Sequence, residues 1–220
     1  MNVVNESEAK RYPVPARETR VEIRVRNSRF IATLAPTFSV KEARAFIARV
    51  RQEFGDATHN VPAYVIGHGA AVTAHCNDDG EPAGSAGRPV LAVLQGSGLG
   101  DVTLIVTRYF GGTKLGTGGL VRAYGDAARA VLDAAPRAER VPTQTVRMSM
   151  PYALFEPLRL LIKAHDGRTL EEVFAAEVTV TAQFATEQVP EFQDALRELS
   201  NGTRQAEIIA SDDNTIMPIG

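Results

Sequence analysis

Two glycine-rich segments set the strongest limits on what this chain can fold into. The first runs Asp78-Asp79-Gly80-Glu81-Pro82-Ala83-Gly84-Ser85-Ala86-Gly87, and the second, from Arg108 to Tyr124, has five glycines in residues 111–119. Each leads into a stretch with helical character. Glycine permits positive φ and a close approach of backbone to a ligand, and a helix start presents unpaired N–H groups to anions. Together the segments predict one composite surface for a charged, phosphate-bearing partner.

The second segment supplies the basic side of this surface. It matches neither the nucleotide-triphosphate loop, since no Gly-Lys-Ser/Thr ends it, nor the dinucleotide fingerprint, since Val121 replaces the third glycine. A tight strand-to-helix connection is the alternative. Tyr109 and Phe110 could stack on bases or anchor the loop. The predicted phosphate-binding residues are Arg108, Tyr109, Gly111, Gly112, Lys114, Gly116, Gly118, Gly119 and Arg122.

The first segment supplies an acidic wall. Asp79 and Glu81 could hold Mg²⁺ through carboxylate oxygens, or they could simply shape the turn that Asp-Gly and Glu-Pro favour. We interpret Asp78 as a turn residue. His59 precedes a predicted strand and could contribute to the same surface. No zinc site is expected, because the histidines and Cys76 lack paired ligand spacing.

Composition places the chain among cytoplasmic globular proteins. Of its 220 residues 44% are hydrophobic, and no apolar run reaches the length of a membrane span. A lone Cys76 excludes an internal disulfide framework, so we expect a cytoplasmic location and no membrane partner. Residues 1–142 hold 18 Lys and Arg against 14 Asp and Glu, whereas residues 143–220 hold 6 against 12. A nucleic acid would therefore meet the first half.

Periodicity divides the chain into two structured parts and predicts an α+β fold class. Residues 1–17 are expected to be a flexible lead-in, residues 18–140 a first domain and residues 211–220 a loose tail. A capping box at Ser39 and Glu42 opens a helix over residues 40–54. Prolines 136 and 142 bracket a predicted linker. Residues 143–210 then show strand, helix, strand, strand, helix and strand, the split order of a ferredoxin-like domain.

The two glycine segments, with Ser28-Arg29-Phe30-Ile31 near the start, closely resemble the Impact family in its bacterial, YigZ-like form. Ala83 and Ser85 stand where Ser and Thr are more usual. The resemblance implies a first domain similar to domain 2 of ribosomal protein S5, an α/β sandwich. It implies a second, ferredoxin-like domain similar to domain V of elongation factor G. Eukaryotic relatives regulate translation, and for the bacterial form the resemblance implies association with nucleic acid or the ribosome.

Three functions follow from these observations. The first is an RNA- or ribosome-associated, translation-related regulator that binds phosphates through the glycine and arginine surface. The second is a metal-assisted hydrolase of a phosphorylated small molecule that uses Asp79 and Glu81. The third is a regulator that binds a protein partner. We expect a binding protein rather than an enzyme, and no cofactor, with Mg²⁺ as the alternative.

Overall fold

The computed structural model describes residues 11–70 and 72–218. Its contacts divide the chain into two compact units. The N-terminal unit contains residues 12–139 and the end of the last strand, and the C-terminal unit contains residues 140–215 with Arg11. None of the helices in the described residues is long and apolar enough to cross a membrane.

The N-terminal unit is built on a five-stranded antiparallel sheet. Its elements in chain order are β1 (Tyr12–Pro15), β2 (Thr19–Val25), β3 (Ser28–Pro36), α1 (Val40–Glu53), β4 (His59–Ile66), β5 (Thr73–Cys76), α2 (Gly87–Gly96), β6 (Val102–Tyr109) and α3 (Thr117–Ala134). The strand order in the sheet is β2-β3-β6-β4-β5. The sheet therefore ends at β2 on one side and at β5 on the other.

Helices cover both faces of this sheet. On one face, Phe46 and Val50 of α1 pack against Tyr64 and Ile105. On the other face, α2 and α3 pack against alternate residues of β6, such as Leu104. Both faces of β6 are buried, which explains its almost unbroken run of apolar and β-branched residues. The predicted capping box is confirmed, since Ser39 Oγ accepts the Glu42 N–H at 3.1 Å.

The C-terminal unit has the predicted split order. Its elements are β7 (Arg137–Met150), α4 (Phe155–Ala164), β8 (Arg168–Phe174), β9 (Val178–Ala185), α5 (Val189–Leu199) and β10 (Glu207–Pro218). In the sheet, β7 lies between β10 and β9, and β8 follows β9. Phe184, Phe192 and Ile162 are buried in its core. The predicted fold class, α+β with an α/β sandwich followed by a ferredoxin-like arrangement, is confirmed.

The structure differs from the sequence-based expectation at the ends of the chain and at the linker. Tyr12–Pro15 form a strand because Tyr12 and Val14 are buried, with Tyr12 stacked on His68 at 5.0 Å. The predicted linker between Pro136 and Pro142 is the first part of β7. The predicted loose tail continues β10 to Pro218 and is held by backbone pairing with β7. The remaining lead-in and tail residues, 1–10 and 219–220, lie outside the described residues.

Candidate nucleic-acid interface

The segment from Phe110 to Gly119, here called the glycine loop, connects β6 to α3. Backbone geometry accounts for three of its glycines. Gly112 and Gly116 have φ of 81° and 73°, a region that L side chains rarely adopt. At Gly111, a Cβ would lie 1.9 Å from the Asn27 carbonyl oxygen in the hairpin turn between β2 and β3. The local backbone geometry thus explains why these three positions are glycine.

Gly118 is different, because neither conformation nor packing requires it. It lies in the first turn of α3, its φ is not positive, and a Cβ there would have no other part of the described chain within 4 Å. Glycine inside a helix costs about 0.5–1 kcal/mol relative to alanine. The neighbouring Gly119 is tighter, with its Cβ position 3.1 Å from the Leu115 side chain. Within the glycine loop, Gly118 is therefore the glycine that the fold does not explain.

The first turn of α3 offers backbone N–H donors to solvent. Gly116 is the N-cap, and no side chain caps the helix. The first N–H groups of a helix have no intrahelical acceptor, and the helix dipole makes this end attractive to anions. Thr117 and Gly118 are exposed. An anion that approached this turn would meet N–H groups with no Cβ in its way at Gly118.

Three cations surround this turn. Lys114 and Arg122 are exposed. Arg122 follows Gly118 by four residues, so it shares that helix face and leans toward the N-terminus. Arg26, in the hairpin turn beside Gly111, donates from Nη1 to the Lys114 carbonyl at 3.3 Å. Within residues 11–70 and 72–218, none of the three forms an ion pair with a carboxylate. Arg26 lies 88 residues from Lys114 in the chain and was not among the residues predicted from the sequence.

Arg108 does not belong to this exposed group. Its side chain is only 6% exposed and pairs with Glu81, the Nη1–Oε1 distance being 2.6 Å. The Tyr124 hydroxyl donates to the same Glu81 oxygen at 2.8 Å. Burial, reinforced by the Glu81 charge, raises the pKa of Tyr124 far above its usual value and keeps that hydroxyl protonated. The structure thus corrects the expectation that Arg108 contacts phosphate: the guanidinium ties β6 to the first glycine segment.

The carboxylates of the acidic wall, like Arg108, bind other groups of the protein. The Asp79 carboxylate accepts hydrogen bonds from Arg51 at 2.6 Å and from the Asn60 N–H at 2.7 Å. The Asp79 carbonyl lies 2.8 Å from His59 Nδ1, and Glu81 is buried with Arg108. Across the described ranges, no three His, Cys, Asp or Glu side chains come together as metal ligands would. Asp79, Glu81 and His59 therefore form a structural cluster in which Glu81 is buried and Asp79 and His59 are partly exposed, and Mg²⁺ binding there stays a prediction.

Asp78 acts as a cap for α2. Its carboxylate accepts the N–H groups of Gly84, Ala86 and Gly87 at 2.8, 3.1 and 2.8 Å. Partial burial opposes its ionisation, but these N–H groups outweigh that effect and lower the pKa of Asp78. This geometry agrees with the prediction that Asp78 is a turn residue. The Asp78 carboxylate also accepts N–H groups that would otherwise lack a partner at the start of α2.

Of the two aromatic candidates, Phe110 is the one that faces solvent. Its ring is 45% exposed at the start of the glycine loop. The Tyr109 hydroxyl donates to Asp56 at 2.7 Å, and the Arg29 guanidinium lies 5.2 Å from the Tyr109 ring centre. Tyr109 thus anchors the loop. The Arg108 guanidinium lies 5.5 Å from the centre of the Phe110 ring, so only the exposed part of that ring is open to stacking on a nucleic-acid base.

Comparison with known proteins identifies the family. Residues 26–132 match the Impact N-terminal domain, and residues 148–203 match a domain of unknown function, DUF1949. The chain is 37% identical to IMPACT family member YigZ of Escherichia coli over 87% of this chain and 95% of YigZ. It is 35% identical to IMPACT family member YvyE of Bacillus subtilis over 82% and 83% of the two chains. A crystal structure of a hypothetical protein matches with a TM-score of 0.61 and 36% identity, over 91% of this chain and 98% of that one. The chain belongs to the IMPACT family.

Proposed function

We propose that this protein binds RNA, free or in the ribosome, through the glycine loop and the three cations around it. The proposal rests on Gly118, because neither the backbone conformation nor the packing of the first turn of α3 requires a glycine there. A phosphate is the anion that this turn suits, since it can accept the free N–H groups and meet Lys114, Arg122 and Arg26 together.

The exposed Phe110 ring is the reason to propose a nucleic acid as the ligand rather than a free phosphorylated metabolite. An exposed aromatic ring beside a basic, glycine-lined loop is the arrangement with which proteins bind single-stranded nucleic acid, through stacking and backbone neutralisation. Residues 12–139 hold 15 Lys and Arg against 12 Asp and Glu, whereas residues 143–220 hold 6 against 12, so RNA would be attracted to the N-terminal unit.

The hydrolase alternative has no comparable support. The Asp79 carboxylate accepts from Arg51 and from the Asn60 N–H, and Glu81 is buried with its Oε1 bound by Arg108 and Tyr124, so both carboxylates already have a role in the fold. A role connected with translation is the part of the proposal that rests on family resemblance. It implies the cytoplasmic location expected from the sequence.

The salt dependence of RNA binding tests this proposal. Three phosphate contacts to a single strand predict a slope of about −2 in a plot of log affinity against log salt. Affinity should therefore fall roughly 20-fold between about 50 and about 200 mM salt. Fluorescence anisotropy with labelled single-stranded RNA measures it.

The matched variants are an Arg26→Ala/Lys114→Ala/Arg122→Ala protein and an Arg137→Ala control, whose arginine is exposed on β7. We expect the triple variant to lose most of the affinity and of the salt slope, and the control to behave as the native protein does. Equal binding by the triple variant and the native protein would refute the site. Failure of the native protein to bind either RNA or ribosomal particles at low salt would refute the function.

A further inference from the structure

We infer that the groove between α1 and β5 is a second binding site, which takes an extended acidic peptide of a partner protein as an added strand on β5. The groove has a volume of about 370 Å³ and lies on the α1 face of the sheet, opposite α3. It is lined by Arg44, Ile47, Ala48, Arg51, Pro62, Tyr64, His75 and Asn77. The proposal does not depend on RNA binding at the glycine loop.

The two edges of the N-terminal sheet differ in how they are protected. The β2 edge carries alternating charged residues, and Arg20, Glu22 and Arg24 all form ion pairs. Charges of this kind discourage pairing with another chain. The β5 edge reads Thr73-Ala74-His75-Cys76, without lysine, proline or a carboxylate, and its first three residues are exposed. An extended peptide could therefore pair with this edge as an added strand.

The hydrogen-bond pattern shows which backbone groups this edge offers. The Asn77 N–H donates to the Pro62 carbonyl at 3.2 Å, which makes Asn77 and Pro62 a hydrogen-bonded pair. Hydrogen-bonded and non-hydrogen-bonded pairs alternate along an antiparallel ladder. Ala74 and Cys76, which lie opposite Val65 and Ala63, consequently direct their N–H and C=O groups away from β4. An added strand would pair with these two residues.

The side chains of the groove select an acidic partner. No carboxylate lines it, and Arg44 has no ion-pair partner among the residues that the structure describes. Arg51 keeps one bond to Asp79. The Tyr64 and His75 rings, 5.4 Å apart, form part of the floor with Pro62, and Ile47 and Ala48 form an apolar wall. A strand with acidic residues at alternate positions would direct them toward the arginines.

The experiment uses a short fluorescein-labelled peptide of alternating glutamate and valine, with a lysine and valine peptide for comparison. Anisotropy should show binding of the acidic peptide only. Arg44→Glu should weaken it at least about tenfold, since it replaces a charge-assisted bond by repulsion. Ala74→Pro should abolish it, because proline removes an outward N–H that the fold does not use. The charge-matched control Arg137→Glu should bind as the native protein does.

Hydrogen exchange distinguishes strand addition from simple charge attraction. With the acidic peptide bound, the amides of Ala74 and Cys76 should exchange more slowly, and Arg44→Glu should remove that protection. If Ala74→Pro does not fold, Arg44→Glu and the exchange data decide. The inference is overturned if the native protein does not bind the acidic peptide, if it binds the basic peptide equally well, or if binding leaves the Ala74 and Cys76 amides unchanged.

Discussion

Replacing Gly118 by alanine should make the protein more stable and its RNA binding weaker. A Cβ at this position has no other part of the described chain within 4 Å, and φ is not positive, so alanine fits without strain. The change in helix propensity should raise the free energy of unfolding by about 0.5–1 kcal/mol. For a unit of this size, the melting temperature should rise by roughly 2–6 °C.

The alanine methyl group at position 118 should also weaken RNA binding. If a phosphate approaches the first turn of α3 as closely as the free N–H groups allow, a Cβ at Gly118 displaces it. The loss of one hydrogen bond to a charged group, about 1.5–3 kcal/mol, weakens binding by roughly tenfold to a hundredfold. Thermal unfolding by circular dichroism and RNA anisotropy at low salt measure the two effects on one preparation.

Gly96 provides the matched control for this substitution. It lies in the last turn of α2, is exposed, has no positive φ, and also has open space around a Cβ. Gly96→Ala should therefore stabilise the protein without changing its affinity for RNA. The reasoning is refuted if Gly118→Ala is more stable and binds RNA as the native protein does, because the glycine would then serve no close contact.

Three further predictions concern the framework that holds the glycine loop. Gly111→Ala should cost more than about 2 kcal/mol in urea unfolding, because its Cβ would overlap the Asn27 carbonyl; an unchanged midpoint would contradict the loop geometry. Glu81→Gln should cost about 3–5 kcal/mol in the same assay, because it leaves Arg108 buried without its carboxylate; native stability would show that the ion pair contributes little. Asp78 has a folded-state pKa below its ordinary value of 3.8, so it stabilises the protein above about pH 4, and this contribution disappears as the pH falls through the lowered pKa. The stability difference between the native protein and Asp78→Asn should accordingly be full at neutral pH and shrink in strong acid, and a difference independent of pH would exclude this linkage.

The sequence was sufficient for the fold class because its local signals agree with one another. The split order of the C-terminal unit follows from clear alternation in β7 and β9 and from helical spacing in α4 and α5. The capping box fixed the start of α1. By contrast, β10 extends through Ser211-Asp212-Asp213-Asn214-Thr215, a polar run without a buried face. Pairing with β7 makes it a strand, with a contact of 2.7 Å between the Thr143 and Thr215 hydroxyls, and this pairing produces no alternation of apolar and polar residues in the sequence.

The candidate site was predictable as a segment but not residue by residue. Arg108 has the same strand parity as Leu104 and Val106, which face the core under α3, so period-two alternation could have shown that it is buried. Arg26 could not be found this way, because it reaches Lys114 only through the packing of Gly111 on a distant hairpin. The sequence also cannot show that Gly116 is needed for its backbone conformation whereas Gly118 is not. The difference depends on φ and on open space, which exist only in the folded chain.

The most direct test of the central claim is an amide NMR titration of the native protein with single-stranded RNA at low salt. We expect the largest shifts at Gly118 and Gly119 and smaller changes at Lys114 and Arg122, while the α1 face around Tyr64 stays unchanged. Binding that shifts the amides of the α1 face and leaves Gly118 and Gly119 where they were would contradict it.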